Sequence, residues 1–300
     1  MTENAIWEKS PCPLCQGNKA LPLFRFDPGV STVKMPGNLT GEGIGLVRCM
    51  NCSLVYLEDR PTRDSMERLY ASDQYFGCDA ETGYSDYEIQ ERSLGDTFRL
   101  FLKNLCQRNM ASGTMADIGC GNGYLLKEAR PYFSFRVGSD MSDAAVEQAS
   151  LVCDKAVCGG PEEILKAGLS GFDLVTAVSV LEHLYDPVAF MRQCSNLVRP
   201  GGNIVLSVPH FASPWRKLMG RFWTSFKIPE HLAYYEKKSL GMLGERSGLE
   251  LVEFIPYHHY FPVSVVLDKL GICPRAVMKS PVGRRSILLP SVMLTAVYKR

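Results

Sequence analysis

The feature that most constrains this chain is the run Asp117-Ile118-Gly119-Cys120-Gly121-Asn122-Gly123. A strand-like run, Met115–Ile118, leads into it, and a helical pattern, Tyr124–Arg130, leaves it before Pro131. Glycines at alternate positions let the backbone turn tightly and approach a ligand closely. They also aim the N-terminus of the following helix at that ligand. Taken alone, the spacing fits either a nucleotide-like ligand or a tight turn. Asp140 favours the ligand, because it closes the next strand-like run, Phe133–Ser139, where an acid can accept hydrogen bonds from ribose hydroxyls.

The rhythm around the loop sets the fold class. Ser142 is placed to cap a helix running to Ala149, and Pro161-Glu162-Glu163 puts proline and acids in a first helical turn. Phe172–Val180 is a continuous apolar strand, as expected when both faces of a sheet are covered. Asp186-Pro187 opens a further helix with Phe190, Cys194, Leu197 and Val198 inward, and Pro200-Gly201-Gly202 turns the chain into strand Asn203–Val208. Helix Ser239–Ser247 stops at Gly248, and strands Leu249–Ile255 and Val292–Lys299 follow. This alternation means an α/β domain with a mainly parallel sheet. Ligands of such sheets sit at the carboxyl ends of the strands.

Three segments follow: a module at 1–60, a helical linker or lid at 61–112, and the α/β domain at 113–300. The first is rich in Pro, Gly and Cys, with little apolar core of its own. Its short strands, Gly45–Arg48 and Leu54–Leu57, flank cysteines. In the second, Met66, Leu69 and Tyr70 share a helix face, as do Phe98, Phe101, Leu102 and Leu105, with a loop at Ser72–Asp86 between. Within the third, 210–235 and 258–290 are read as substrate-side segments.

Charge and cysteine usage narrow the setting. Lysine and arginine nearly balance the acids, at net +1. A chain that serves mainly to bind a polyanion carries a clear basic excess. The N-terminal residues lack the apolar core of a secretory signal, and no apolar run is long enough to span a bilayer, so a cytoplasmic setting is expected. There the eleven cysteines serve as thiols or metal ligands. Cys12-Pro13-Leu14-Cys15 and Cys49-Met50-Asn51-Cys52 form two C-x₂-C knuckles, the spacing of a tetrahedral zinc site, with a redox role or an iron–sulfur centre as alternatives. Four thiolates leave no open position, so the metal is expected to be structural. The other cysteines read as small buried hydrophobes.

From 110 to 210 the sequence resembles the class I S-adenosylmethionine-dependent methyltransferases. The resemblance is carried by Ala116–Gly123, Gly138-Ser139-Asp140-Met141-Ser142, Phe172–Val175, Val180-Leu181-Glu182-His183-Leu184 and Val198-Arg199-Pro200-Gly201-Gly202, in family order. An NAD-binding fingerprint shares the loop but lacks the last two elements. The resemblance implies a Rossmann-like seven-stranded sheet. It implies that Gly119, Cys120, Gly121 and Gly123 pack against the methionine and ribose parts of S-adenosylmethionine, with Asp117 helping to hold that end. Asp140 would bind the ribose diol and Met141 the adenine face. Gly160 and Pro161 would lie by the adenine, and Ser179 near the cofactor.

The five histidines bear on the acceptor side, because methyl transfer often needs a base to take the acceptor's proton. The zinc knuckles, the pair Tyr75-Phe76 and the later Glu230-His231 resemble a zinc-ribbon subgroup that includes sugar-nucleotide C-methyltransferases. That resemblance implies His231 as base, Glu230 orienting it, and His183 and Tyr75 touching the acceptor. A structural role is the alternative for both histidines. The sugar enzymes carry a further large C-terminal domain, which is not expected here. Methyltransferases of polysaccharide and lipid pathways share the shorter layout, so a small or glycan-type acceptor, methylated at carbon or oxygen, is expected. Two other readings are a ribosomal RNA base methyltransferase with a zinc module and a non-catalytic zinc-ribbon interaction protein. Trp215–Trp223 mixes aromatics and cations, which reads as a pocket wall or, alternatively, a peripheral membrane contact.

Overall fold

The computed structural model describes residues 6–26, 44–70, 87–269 and 280–300. Along the chain the strands are β1 (Trp7–Lys9), β2 (Ala20–Phe26), β3 (Ile44–Cys49), β4 (Val55–Leu57), β5 (Asp59–Pro61), β6 (Thr114–Ile118) and β7 (Phe135–Asp140). They continue as β8 (Lys155–Cys158), β9 (Phe172–Val178), β10 (Val198–Pro209), β11 (Ala233–Tyr234), β12 (Glu250–Pro262) and β13 (Ser286–Lys299). The chain forms two compact units. One comprises Met1–Ser85, Leu181–Met191 and Val208–Gly248, and the other Asp86–Val180, Arg192–Ser207 and Leu249–Arg300.

The second unit is Rossmann-like. Its described strands lie in the order β12-β13-β10-β9-β6-β7-β8. β8, β7, β6, β9 and β10 run parallel, while β12 and β13 pair antiparallel. The parallel strands are apolar because helices cover both faces. Met115, Ala116, Val137, Leu174, Val175, Ile204 and Val205 are all fully buried. Helix Tyr87–Cys106 contributes Phe101, Leu102 and Leu105 to the core that also holds Leu125, Phe133, Ile255, Tyr257 and Val297. Ser142 caps helix Asp143–Ser150 by accepting from the Ala145 amide. Asp186 likewise accepts from Ala189 at the start of helix Pro187–Leu197.

The insert expected at 258–290 differs in character. β12 runs on to Pro262 and β13 starts at Ser286, with register shifts near Tyr257 and His259. Val263–Lys269 is a helix, and the two ends of the segment, 258–262 and 286–290, therefore extend one antiparallel pair. Prolines at 256, 262 and 290 disguise it, since proline inside a run argues against a strand.

The first unit builds its core from distant parts of the sequence. β2, β3 and β4 form an antiparallel sheet, and β11 adds to β4. Phe26, Ile44, Leu46, Val55 and Leu57 pack with Phe211, Trp223, Phe226, Ile228, Leu232 and Tyr234. The module that looked poor in core is thus completed by residues 211–234. Arg48 makes a two-pronged ion pair with Glu236 across the same unit. Of the lone cysteines, Cys120 and Cys194 are buried as expected, but Cys106 and Cys158 are exposed. Both exposed thiols lie at the ends of regular elements, in a helix Tyr87–Cys106 and a strand Lys155–Cys158, where a small side chain faces solvent without cost. No helix among the described residues is long and apolar enough to cross a membrane.

Candidate functional site

In the second unit, β6 delivers the chain to the glycine loop, and all three loop glycines adopt positive φ, at 68°, 51° and 78° for Gly119, Gly121 and Gly123. A side chain at Gly119 would run into Val180, and one at Gly123 would meet Val152 and the Ala149 backbone. A Cβ on Gly121 would meet no protein atom within 4 Å. The loop is packed from behind at both ends and open at its middle glycine, which is the shape of a cradle for a ligand.

Two carboxylates frame this cradle. Asp140, at the carboxyl end of β7, accepts from the Gly121 amide at 2.9 Å and from the Ser142 amide at 3.0 Å. It thereby ties the loop to the neighbouring strand end. Asp117 is buried on β6 and accepts from the Thr176 hydroxyl at 2.6 Å. Burial pushes its pKa up to about 7, the nearby Asp140 charge adds to the rise, and the Thr176 bond opposes it. Thr176 was not singled out from the sequence. A threonine in an apolar strand looks like ordinary strand composition, and only the register of β6 against β9, Asp117 beside Thr176, exposes the pairing.

The remaining residues expected around the cofactor lie at the same strand ends. Met141 is 77% exposed next to Asp140. Gly160 starts helix Pro161–Lys166, and its amide donates to Glu163 at 2.9 Å. Cys120 is buried, with its amide donating to the Ser139 carbonyl. Ser179 follows β9 with a φ of 56°, a left-handed conformation unusual for a residue with a side chain, and its amide donates to Ser207. Backbone strain of this kind gathers at functional sites.

The first unit holds two groups of chemistry-bearing side chains. Cys12, Cys15, Cys49 and Cys52 converge, with Sγ–Sγ separations of 3.4 Å for Cys12–Cys52 and for Cys15–Cys49. The two knuckles share one backbone design. Gln16 donates back to the Cys12 carbonyl and Ser53 to the Cys49 carbonyl, and both Gln16 and Ser53 take positive φ. Sulfurs at 2.3 Å from a tetrahedral ion lie roughly 3.8 Å apart, so this arrangement fits one with little adjustment.

The second group is Glu182, His183 and His231. The short turn Leu181–His183 follows directly on β9's end in sequence. The His183 and His231 rings meet edge to face with centroids 4.7 Å apart. His183 Nδ1 bonds the backbone carbonyl of Glu230 at 3.1 Å. The Leu232 amide donates to the Glu182 carbonyl, and the His231 amide to that of Lys227. Burial lowers the pKa of both imidazoles, that of His183 to about 4, and raises Glu182 to about 8. Thus neutral imidazoles sit beside a buried acid. The carboxylate that lies with the two imidazoles in this group is that of Glu182, and Glu230 meets His183 through its backbone carbonyl. Glu182 stood in the sequence only as part of a family motif. His210, half-buried at a bridge to Tyr235, and His258 and His259, on β12, do not join the group. Tyr75 lies outside the described residues.

Comparison with known proteins agrees with the loop. The methyltransferase domain family matches residues 89–254. An O-methyltransferase of ubiquinone biosynthesis from Neisseria meningitidis serogroup C is 37% identical over 99 residues, 30% of this chain and 42% of that protein. One from Coxiella burnetii is 25% identical over 163 residues, 51% of this chain and 69% of that protein. Among solved structures, an S-adenosylmethionine-dependent methyltransferase from Thermotoga maritima covers 72% of the chain with a TM-score of 0.50 at 15% identity, a likeness of fold. The chain belongs to the methyltransferase domain family, and it spans less than half the length of the Neisseria relative.

Proposed function

We propose that this chain is an S-adenosylmethionine-dependent enzyme that methylates a hydroxyl oxygen of a small-molecule acceptor. The observation that carries the donor side is the loop open at Gly121, braced by the Asp140–Gly121 bond. Gly119, Cys120, Gly121 and Gly123 would surround the methionine and ribose parts, Asp140 the ribose diol, and Met141, Gly160 and Pro161 the adenine. Asp117 would face the cationic amino-acid end. S-adenosylmethionine supplies an electrophilic methyl on a sulfonium. Acceptance at oxygen follows the relatives, which are O-methyltransferases by name.

An acceptor hydroxyl must lose its proton as the new bond forms. We assign that chemistry to His231 and His183, keep Glu230 and Tyr75 as acceptor-side expectations, and add Glu182 as the acid beside the pair. Burial keeps the imidazoles neutral, the unprotonated form that can bind a cation, and makes them weaker bases than a free imidazole. Zinc on Cys12, Cys15, Cys49 and Cys52 would hold the first unit's sheet together.

The test is transfer of labelled methyl from S-adenosylmethionine to panels of phenolic hydroxyls, sugar nucleotides and ribosomal RNA. Labelled methyl ethers from the hydroxyl panel are expected. Labelling of the sugar or RNA panel alone would overturn the acceptor assignment. His231→Ala is expected to lower turnover at least a hundredfold, with S-adenosylhomocysteine affinity within threefold of wild type, on the order of a general base's contribution.

A further inference from the structure

We propose that Glu182, His183 and His231 form a second metal site, distinct from the four cysteines, that binds one divalent first-row cation such as zinc. One ligand atom from each residue falls within 4.8 Å of the others. All three belong to the first unit.

The hydrogen bonding is that of a ligand set. Both Glu182 carboxylate oxygens are buried and have no hydrogen-bond partner, and neither has His231 Nδ1. An orphaned buried carboxylate is costly, because it has given up water and received nothing in return. Glu182 is 1% exposed and His231 5%, so water does not supply the missing partners from the surface. Lys227 lies near enough for its charge to act on Glu182, yet it donates to neither oxygen. A cation would satisfy the three atoms together.

Each imidazole is also held from its far side. His183 Nδ1 meets the Glu230 carbonyl at 3.1 Å, which fixes the ring. The His231 ring bonds the Ser225 backbone, while its Nδ1 stays without a partner. Histidines that bind metals use one nitrogen for the ion and the other for a carbonyl or carboxylate, which fixes the ring. Ligand atoms at about 2.1 Å from a tetrahedral ion lie roughly 3.4 Å apart, which modest side-chain rotations reach from this arrangement. Two imidazoles and one carboxylate suit zinc or iron(II) rather than magnesium or calcium. Three protein ligands leave a further position open, unlike the four-thiolate site.

This inference rests on the proposed acceptor chemistry only for the site's purpose, since a bound cation would acidify an acceptor hydroxyl in place of imidazole basicity. Its occupancy is tested separately. The full chain is purified under reducing conditions, and zinc and iron are counted per chain by mass spectrometry. Wild type, Glu182→Gln, His183→Gln and His231→Gln are compared, with cobalt(II) spectra after metal exchange. Two equivalents are expected in wild type and one in each variant. Thiolate-to-cobalt charge-transfer bands should persist in all, and the weaker bands of the nitrogen–oxygen site should vanish in the variants. One equivalent in wild type, or two retained in Glu182→Gln and His231→Gln, would overturn the proposal. Calorimetry with S-adenosylhomocysteine on the same samples reports the donor site independently, so a failed methyltransferase reading and a failed metal site are told apart.

Discussion

At the residue scale, Asp117, placed at the proposed donor site, should make that site sensitive to pH. Its folded pKa of about 7 lies above the ordinary 3.8. Between those values the folded protein keeps a proton that the unfolded chain has released, so stability falls as pH rises through that window. A cationic ligand favours the ionised form, so cofactor affinity should rise roughly tenfold from pH 6 to pH 8. Asp117→Asn should flatten both trends, measured by calorimetry and by urea denaturation across pH. An unchanged slope in the variant would rule out Asp117 as the source. The loop glycines make a second contrast. Gly121→Ala meets no neighbour, so its cost is the left-handed backbone, roughly 1–2 kcal/mol. Gly119→Ala adds the collision with Val180 and should be the less stable of the two by urea midpoint, while both lose cofactor affinity.

At the scale of elements, strict periodicity decided what could be read. β6, β7, β9 and the helices between them follow local rules: apolar runs, a serine cap, proline in a first turn. They were legible to within a few residues at their ends. Residues 211–234 were not, because their role depends on pairing with β4, far away in sequence. Nothing local distinguishes Phe222 from Trp223, yet Phe222 is 78% exposed and Trp223 3%. Trp223→Ala should therefore cost about 3–5 kcal/mol and Phe222→Ala within about 0.5 kcal/mol, read as shifts in denaturation midpoint. Equal effects would contradict the packing. Glu182 was hidden for a related reason. Its fellow group, His231, comes from a distant segment, and a buried acid announces itself only through the atoms it fails to bond.

At the scale of the whole molecule, a methyltransferase sheet and a cysteine-bearing unit are interleaved in one chain. The first unit's sheet is small, and its core draws on segments many residues apart, so the zinc proposed on the two knuckles would close long loops. Chelation of that metal should remove amide-exchange protection from β2–β4 and from 211–234 while β6, β7 and β9 stay protected. Uniform loss, or none, would contradict a structural role confined to the first unit. The central claim concerns the other unit. It is tested most directly by calorimetric titration of the full chain with S-adenosylhomocysteine, for wild type and Asp140→Ala. The account predicts one site per chain, weakened at least tenfold in the variant. No binding by wild type, or equal affinity in the two, would contradict it.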